Sequence, residues 1–228
     1  MLSKRRFDAV LFDLDGTLID TAPDMVAVLV DILESEGRPP IHYELARSHV
    51  SHGSAGLVRL AFPDLDEGER ERLRLDFLDR YETAVCVHST LFPGLEALLD
   101  ALDAAALPWG VVTNKPARMT NPLLRALGLD ARSATIVSGD TIPQRKPDPA
   151  PLLLASREAA VDPRRVVYVG DAARDIEAGR RAGMFTIAAS YGYIPAEEDP
   201  GSWQADAIVE NTEQLAHLVL KGVNLANA

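Results

Sequence analysis

Two aspartates at a spacing of two, Asp13 and Asp15, close the first apolar run of the chain (7–13, FDAVLFD), and Gly16 and Thr17 follow at once. In an extended chain alternate residues point to the same side, so both carboxylates face one place. Two carboxylates at the end of a buried strand are expensive unless something uses them. A hard divalent cation would, because Mg²⁺ takes oxygen ligands, commonly one or two carboxylates together with a phosphate. Gly16 allows a turn closed to other residues and a close approach of backbone amides to an anion. Taken alone, the segment also fits a strand followed by a solvated Asp-Gly turn.

Three later positions share this character. The run GVVT ends in Thr113, followed by Asn114, where a hydroxyl and amides can hold phosphate oxygens. Lys146 precedes Pro147 and so sits on a stiffened, extended stretch. A lysine there neutralises phosphate charge as a point cation. The run VVYVG delivers Asp171, and Asp175 lies four residues on, on the same face if a helix begins there. Asp171 suits a direct metal ligand and Asp175 a partner behind it. Each has an ordinary explanation by itself: a strand-to-helix turn, a surface lysine, acidic capping of a helix start. Those explanations give no reason for the whole set, in which carboxylates, a hydroxyl, a lysine and carboxylates again close four successive apolar runs.

The elements that must position these residues are legible as an alternation. Apolar runs occupy 7–13, 108–113, 134–139, 165–170 and 184–190, and helix-like stretches occupy 94–106, 117–128, 149–160 and 173–182. Continuous apolar runs suit parallel strands buried on both faces, and the alternation predicts a doubly wound α/β parallel sheet, a Rossmann-like core. Ligands bind such sheets outside the carboxyl ends of the strands, where the strand order reverses. Asp148 and Pro149 are expected as N-cap and first residue of one helix, with Gly128 and Gly183 as helix stops. Residues 20–89 break the alternation. Thr21 to Asp24 resemble a capping box with Pro23 in the first turn. Met25, Leu29, Ile32 and Leu33 make one apolar face, which Gly37 and two prolines end, and Leu73, Phe77, Tyr81 and Val85 recur every four residues. No strand signal lies between. The expected division is therefore an α/β core of 1–19 and 90–228 with a small all-helical cap, 20–89, hinged near 18–21 and 89–93.

Composition narrows the class. The chain has 228 residues, 47% hydrophobic and 25% charged, which excludes a disordered chain, a collagen-like repeat and a disulfide scaffold. The net charge of −11 argues against nucleic acid and anionic membranes as partners. An anionic substrate then needs local cations or a metal. Cys86 stands alone, so no intrachain disulfide forms and the cell interior fits. The basic start is broken by Asp8 and Asp13, unlike a signal peptide, and no stretch approaches the ~20 apolar residues of a membrane span. A cytoplasmic monomer or homodimer acting on a small phosphorylated metabolite is expected.

With the motifs in this order, the chain resembles the haloacid dehalogenase-like hydrolases, specifically the phosphoglycolate phosphatase branch with a helical cap. DLDGT, VVTN, Lys146 in KPDP and GDAARD correspond to the family's four motifs. The resemblance implies Asp13 as the nucleophile, forming an aspartyl-phosphate. It implies Asp15 as general acid and then base. Thr113, Gly16 and Asn114 would hold the phosphate, and Lys146 would steady its charge. Mg²⁺ would be bound by Asp13, the backbone carbonyl of Asp15 and Asp171, with Asp175 supporting. Asp15 argues against a dehalogenase, and Thr17 favours hydrolysis over a mutase. The stretch 49–62 resembles the cap's substrate loop, so Ser51, His52 and Ser54 could meet substrate. Equally, Ser51 or Ser54 could cap a helix with His52 solvated, and Arg59 could lie on a solvent face. The segments 86–92, 109–116 and 191–194 look like those of the bacterial N-acetylmuramic acid 6-phosphate phosphatases, which implies a role in peptidoglycan recycling. Trp109, Tyr191 and Tyr193 are expected to pack, and Cys86 to be a buried helix residue rather than a nucleophile. A sugar phosphomutase of the same superfamily and a non-catalytic phospho-metabolite sensor are the alternatives.

Overall fold

Ala9–Phe12, four apolar residues, form strand β1, buried on both faces. In the computed structural model, which describes residues 7–222, β1 lies inside a six-stranded sheet. The basic start and the last residues of the expected core segment, 1–6 and 223–228, lie outside the described residues. A two-residue strand, β2 (Ile19–Asp20), leads into helices α1 (Ala22–Ser35), α2 (Tyr43–Ser48), α3 (Gly53–Ala61) and α4 (Glu67–Thr83), and β3 (Thr90–Leu91) returns. The chain continues as α5 (Leu95–Ala104), β4 (Trp109–Val112), α6 (Ala117–Ala126), β5 (Thr135–Val137), α7 (Ala150–Glu158), β6 (Val166–Gly170), α8 (Ala173–Ala182), β7 (Phe185–Ala189), β8 (Ala207–Val209) and α9 (Thr212–Gly222).

The sheet order is β5-β4-β1-β6-β7-β8, and every pairing is parallel. From β1 the chain steps outward to β4 and β5, then crosses back to place β6 on the other side of β1. The order therefore reverses beside β1, with Phe12 opposite both Val111 of β4 and Val169 of β6. Alternate residues of β1 enter two cores. Val10 and Phe12 join an apolar cluster with α5, α6 and α9, and Ala9 and Leu11 join one with α7 and α8. Helices on both faces explain why the strand shows no polar alternation.

The four helices between β2 and β3 match the expected all-helical stretch, and Met25, Leu29, Leu73, Phe77 and Tyr81 are buried in the first of the two clusters. Several local expectations are corrected. A strand pair exists where none was expected: Ile19 pairs with Leu91 and Asp20 with Thr90, antiparallel, where the helical segment leaves and rejoins the rest of the chain. Two residues per strand are too few to show a period. The capping box of Thr21 and Asp24 does not form. Thr21 donates instead to Asp15, and Asp24 accepts from the backbone N–H groups of Val87, His88 and Ser89 and from the Ser89 hydroxyl. Tertiary partners outbid the local cap. Helix α4 ends at Thr83, so Val85 and Cys86 lie beyond it, and Cys86 is half-buried in the following turn rather than in a helix. Asp148 accepts from the Ala150 N–H as a cap would, but α7 begins at Ala150, one residue later than expected. Gly128 and Gly183 hold left-handed φ values of 67° and 78° after their helices, as expected. Strand β8, three residues long and half exposed, carried no sequence signal.

Candidate active site

Four strand ends meet where the sheet order reverses. Asp13 follows β1, Thr113 follows β4, Lys146 lies on the loop after β5, and Asp171 follows β6. All four are buried. The Asp13 N–H donates to the Val169 carbonyl, which extends the β1–β6 ladder one residue and fixes where its carboxylate projects.

Lys146 is the hub, with a side chain only 1% exposed. Its Nζ lies 2.7 Å from Asp13 Oδ1 and 2.7 Å from Asp175 Oδ1, and donates to Tyr168 Oη at 2.9 Å. Two carboxylates in ion-pair contact and one hydroxyl surround it, the arrangement under which a buried ammonium is tolerable. Asn114 holds the backbone of this lysine at both ends. Its Nδ2 donates to the Lys146 carbonyl at 3.0 Å and its Oδ1 accepts from the Lys146 N–H at 3.1 Å. The Asn114 side chain is thus committed to positioning Lys146, whereas the expectation for phosphate at this residue concerns its backbone amide.

Asp13, Asp171 and Asp175 form the one acidic cluster among the described residues with metal-binding spacing; an oxygen of each lies within 4.8 Å of the others. Burial, followed by the charge of Asp175, raises the Asp13 carboxyl above the usual range against the pull of Lys146. Asp171 is pushed up to about 8, first by burial and then by the charges of Asp13 and Asp175. Its Oδ2 accepts from Ser51 Oγ at 2.6 Å and from the Tyr193 N–H at 2.8 Å. Its Oδ1 is buried with no hydrogen-bond partner. A buried carboxylate oxygen without a partner, beside a second carboxylate, fits a divalent cation with oxygen ligands. Asp175 differs, because its oxygens already serve Lys146, Tyr168 and the Ala172 N–H.

Asp15 stands apart from that cluster. Its Oδ1 accepts from Thr21 Oγ1 at 2.6 Å and from Lys115 Nζ at 2.8 Å. Burial opposes the charge on Lys115, yet Asp15 and Tyr81 outweigh it and hold the ammonium protonated. Gly16 turns the chain between the two groups with φ of 80°, and a Cβ there would lie 2.0 Å from Asp171 Oδ2. Only glycine permits both the conformation and the approach.

A cavity of about 770 Å³ opens above these residues. Asp13, Asp15 and Thr113 floor it, and Ser51, His52, Ser54 and Arg59 line it from the helical side. Of the loop residues, Ser51 reaches Asp171 and His52 Nε2 lies 3.2 Å from Glu198, so neither Ser51 nor Ser54 caps α3. Arg59 is exposed, as one reading had it, and also lines the cavity. Trp109, Tyr191 and Tyr193 pack as expected. Tyr191 donates to the Thr17 carbonyl and Tyr193 accepts from the Ala22 N–H, so both brace the chain on either side of β2. Burial raises the Cys86 thiol, against a nucleophilic role.

The sequence reading overlooked Lys115, Tyr168, Thr21 as a partner of Asp15, and Arg174, whose Nη2 donates to the Ser51 carbonyl at 2.7 Å. Lys115 directly follows Asn114 at the same strand end, and that adjacency was the available signal. Tyr168 and Arg174 sit inside patterns fully explained as strand and helix.

The model of a family described as haloacid dehalogenase-like hydrolase matches residues 10–189. A curated N-acetylmuramic acid 6-phosphate phosphatase of Pseudomonas aeruginosa is 46% identical over 215 residues, 94% of this chain and 95% of that protein. A phosphoglycolate phosphatase of Xanthomonas campestris pv. campestris is 46% identical over 207 residues, 91% of this chain and 94% of that one. Among solved structures, a Haemophilus somnus 129pt protein described as a predicted phosphoglycolate phosphatase superposes with a TM-score of 0.82 at 28% identity, covering 93% of this chain and 97% of that one.

Proposed function

The chain belongs to the haloacid dehalogenase-like hydrolases and is a phosphoric monoester hydrolase; from that premise we propose that it is a Mg²⁺-dependent phosphatase working through Asp13, with N-acetylmuramic acid 6-phosphate as its preferred substrate. The observation that carries the catalytic reading is the convergence of Asp13, Lys146 and Asp171 at one point of the sheet edge. Asp13 and Asp171 would hold the cation with the backbone carbonyl of Asp15, and Asp175 would orient Lys146 behind them. Bound there, the metal offsets the clustered negative charge and makes the phosphorus more electrophilic.

In the first step an Asp13 oxygen forms a bond to phosphorus as the bond from phosphorus to the ester oxygen breaks. The departing oxygen takes the electron pair and receives a proton from Asp15. Asp15, now a carboxylate, removes a proton from water, and the water oxygen displaces Asp13 to release inorganic phosphate. Lys146 and Thr113 hold the charge that develops on the phosphoryl oxygens. The helices of 20–89 act as the cap that shuts this chemistry away from bulk water.

The choice of substrate rests on the cavity. At about 770 Å³, lined by Arg59, Arg145 and Arg174 and also by Val50, Phe77 and Leu78, it suits a sugar-sized ester with a second anionic group. A two-carbon phosphate would leave most of it empty. Phosphoglycolate is nonetheless kept as the second reading, because relatives carrying either name are equally similar. The test is phosphate release with Mg²⁺ from both esters side by side, with Asp13→Asn as the blank. We expect kcat/KM at least about tenfold higher for the sugar acid, since burial of one ring's apolar area is worth more than 1.4 kcal/mol. A preference for phosphoglycolate would refute the substrate assignment, and release by the Asp13→Asn protein would refute the nucleophile. An isomer with little free phosphate would indicate a mutase.

A further inference from the structure

Lys115 and Tyr81 have no part in the chemistry just described, yet both are buried against the cavity, at 8% and 1% exposure. Lys115 Nζ donates to Asp15 Oδ1 at 2.8 Å and to Tyr81 Oη at 3.0 Å. It also lies 4.5 Å from the centre of the Tyr81 ring and 3.9 Å from Met25 Sδ. The lysine comes from the core, just after β4, whereas its socket comes from the helical segment: Met25 from α1 and Tyr81 from α4. A free lysine side chain has many rotamers and offers no fixed direction. In this socket the ammonium has one place to be, with the tyrosine face and hydroxyl on one side and Asp15 on the other.

The consequence falls on Asp15. Its Oδ1 takes both Lys115 and Thr21, while its Oδ2 has no hydrogen-bond partner and the side chain keeps 17% exposure toward the cavity. Two donors on one oxygen fix the plane of the carboxyl group and leave the other oxygen to exchange a proton with whatever occupies the cavity. We propose that Lys115 and Tyr81 are positioning residues for Asp15, a pair completed only when helix α4 sits over the site, and that they set how well this carboxyl group delivers its proton to the departing alcohol. The proposal rests on the reading of Asp15 as general acid.

A merely structural ion pair and a positioning pair differ in one measurable respect. An alkyl alcohol needs a proton as it departs, whereas p-nitrophenolate does not. The parameter kcat/KM covers the steps through departure of the alcohol, so it carries the contrast even if a later step limits turnover. The experiment compares kcat/KM for N-acetylmuramic acid 6-phosphate or 2-phosphoglycolate, whichever the parent enzyme turns over faster, with kcat/KM for p-nitrophenyl phosphate in Lys115→Met, Tyr81→Phe and Asp15→Asn. General acid–base catalysis contributes about 10²–10⁴-fold. We expect Lys115→Met to lose about 10²-fold on the alkyl ester and under about threefold on the aryl ester, and Tyr81→Phe about tenfold with the same skew. Equal losses on both esters, or none, in a protein where Asp15→Asn shows the skew would overturn the pair and leave Asp15 as the acid. If Asp15→Asn keeps its alkyl activity, the acid assignment itself falls and the pair with it. Should Lys115→Met not fold, Tyr81→Phe decides alone, because it removes one oxygen and keeps the ring in place.

Discussion

Position 16 shows how little freedom a single residue has at this site. Gly16 directly follows Asp15 at φ of 80°, and any Cβ would overlap Asp171 Oδ2 and approach the Tyr193 ring at 2.8 Å. Gly16→Ala should therefore displace Asp171 or the Asp13–Asp15 turn. A misplacement of about 1 Å costs about 10²-fold in rate, and the left-handed conformation adds about 1–2 kcal/mol of strain. Activity within twofold of the parent, measured on the preferred ester, would show that the close packing of Gly16 and Asp171 is dispensable. The residues proposed to do the chemistry were legible because they close apolar runs or stand on the loop beyond one, where a charged group beside a buried sheet is out of place unless used. Lys115 and Tyr168 were not. A lone lysine has a surface explanation by default, and a tyrosine in an apolar run has a packing one, so only contacts made across the fold give either a further role. Asn114 was legible as a site residue but not in its part, since gripping the Lys146 backbone depends on a loop more than 30 residues away.

Among the elements, the start of α1 carries the clearest lesson. Its Thr-x-x-Asp pattern has the form of a local cap, yet both side chains reach out of the helix. Asp24, 2% exposed, collects three backbone N–H groups and one hydroxyl from 87–89. It thereby pins the returning chain next to the outgoing one. Asp24→Asn puts an amide donor among these donors and removes the charge, so folding stability should fall by about 3 kcal/mol. Urea unfolding measures this, and a loss under 1 kcal/mol would mean that the 87–89 turn holds without its anchor. Periodicity located the helices and buried strands of the alternation to within two residues, because burial on one side or both repeats along an element, whereas α4 starts at Glu67, six residues before its first periodic apolar position. It was silent on β2, β3 and β8, whose two or three residues complete no period.

Across the whole molecule, the electrostatics are inverted at one place. The chain carries −11, but Lys115, Arg59, Arg74, Arg145 and Arg174 converge on the cavity. Field lines of a concave site concentrate an anionic ester there, while the three buried carboxylates beneath still repel one another. A cation binding the folded state and not the unfolded one stabilises by mass action, about 2.7 kcal/mol at a hundredfold excess over Kd. For a chain of this size that is about 5–10 °C in Tm. Mg²⁺ should produce this rise in the parent protein and not in Asp171→Asn, as scanning calorimetry can follow; an equal rise in both would remove Asp171 from the metal site. Strand order was not visible in the sequence, since every buried parallel strand looks alike, and neither was the way the helices bring Met25 and Tyr81 against Lys115. Among the described residues no helix is long and apolar enough to cross a membrane.

The short ribbon of β2 and β3 has a bearing on descent. Because Ile19 and Leu91 are paired neighbours, everything coded between them leaves and re-enters at a single doorway. A stretch with touching ends can be lengthened, shortened or replaced by recombination without moving any strand of the main sheet. The hydrolytic floor and the chamber above it can then be inherited on separate terms.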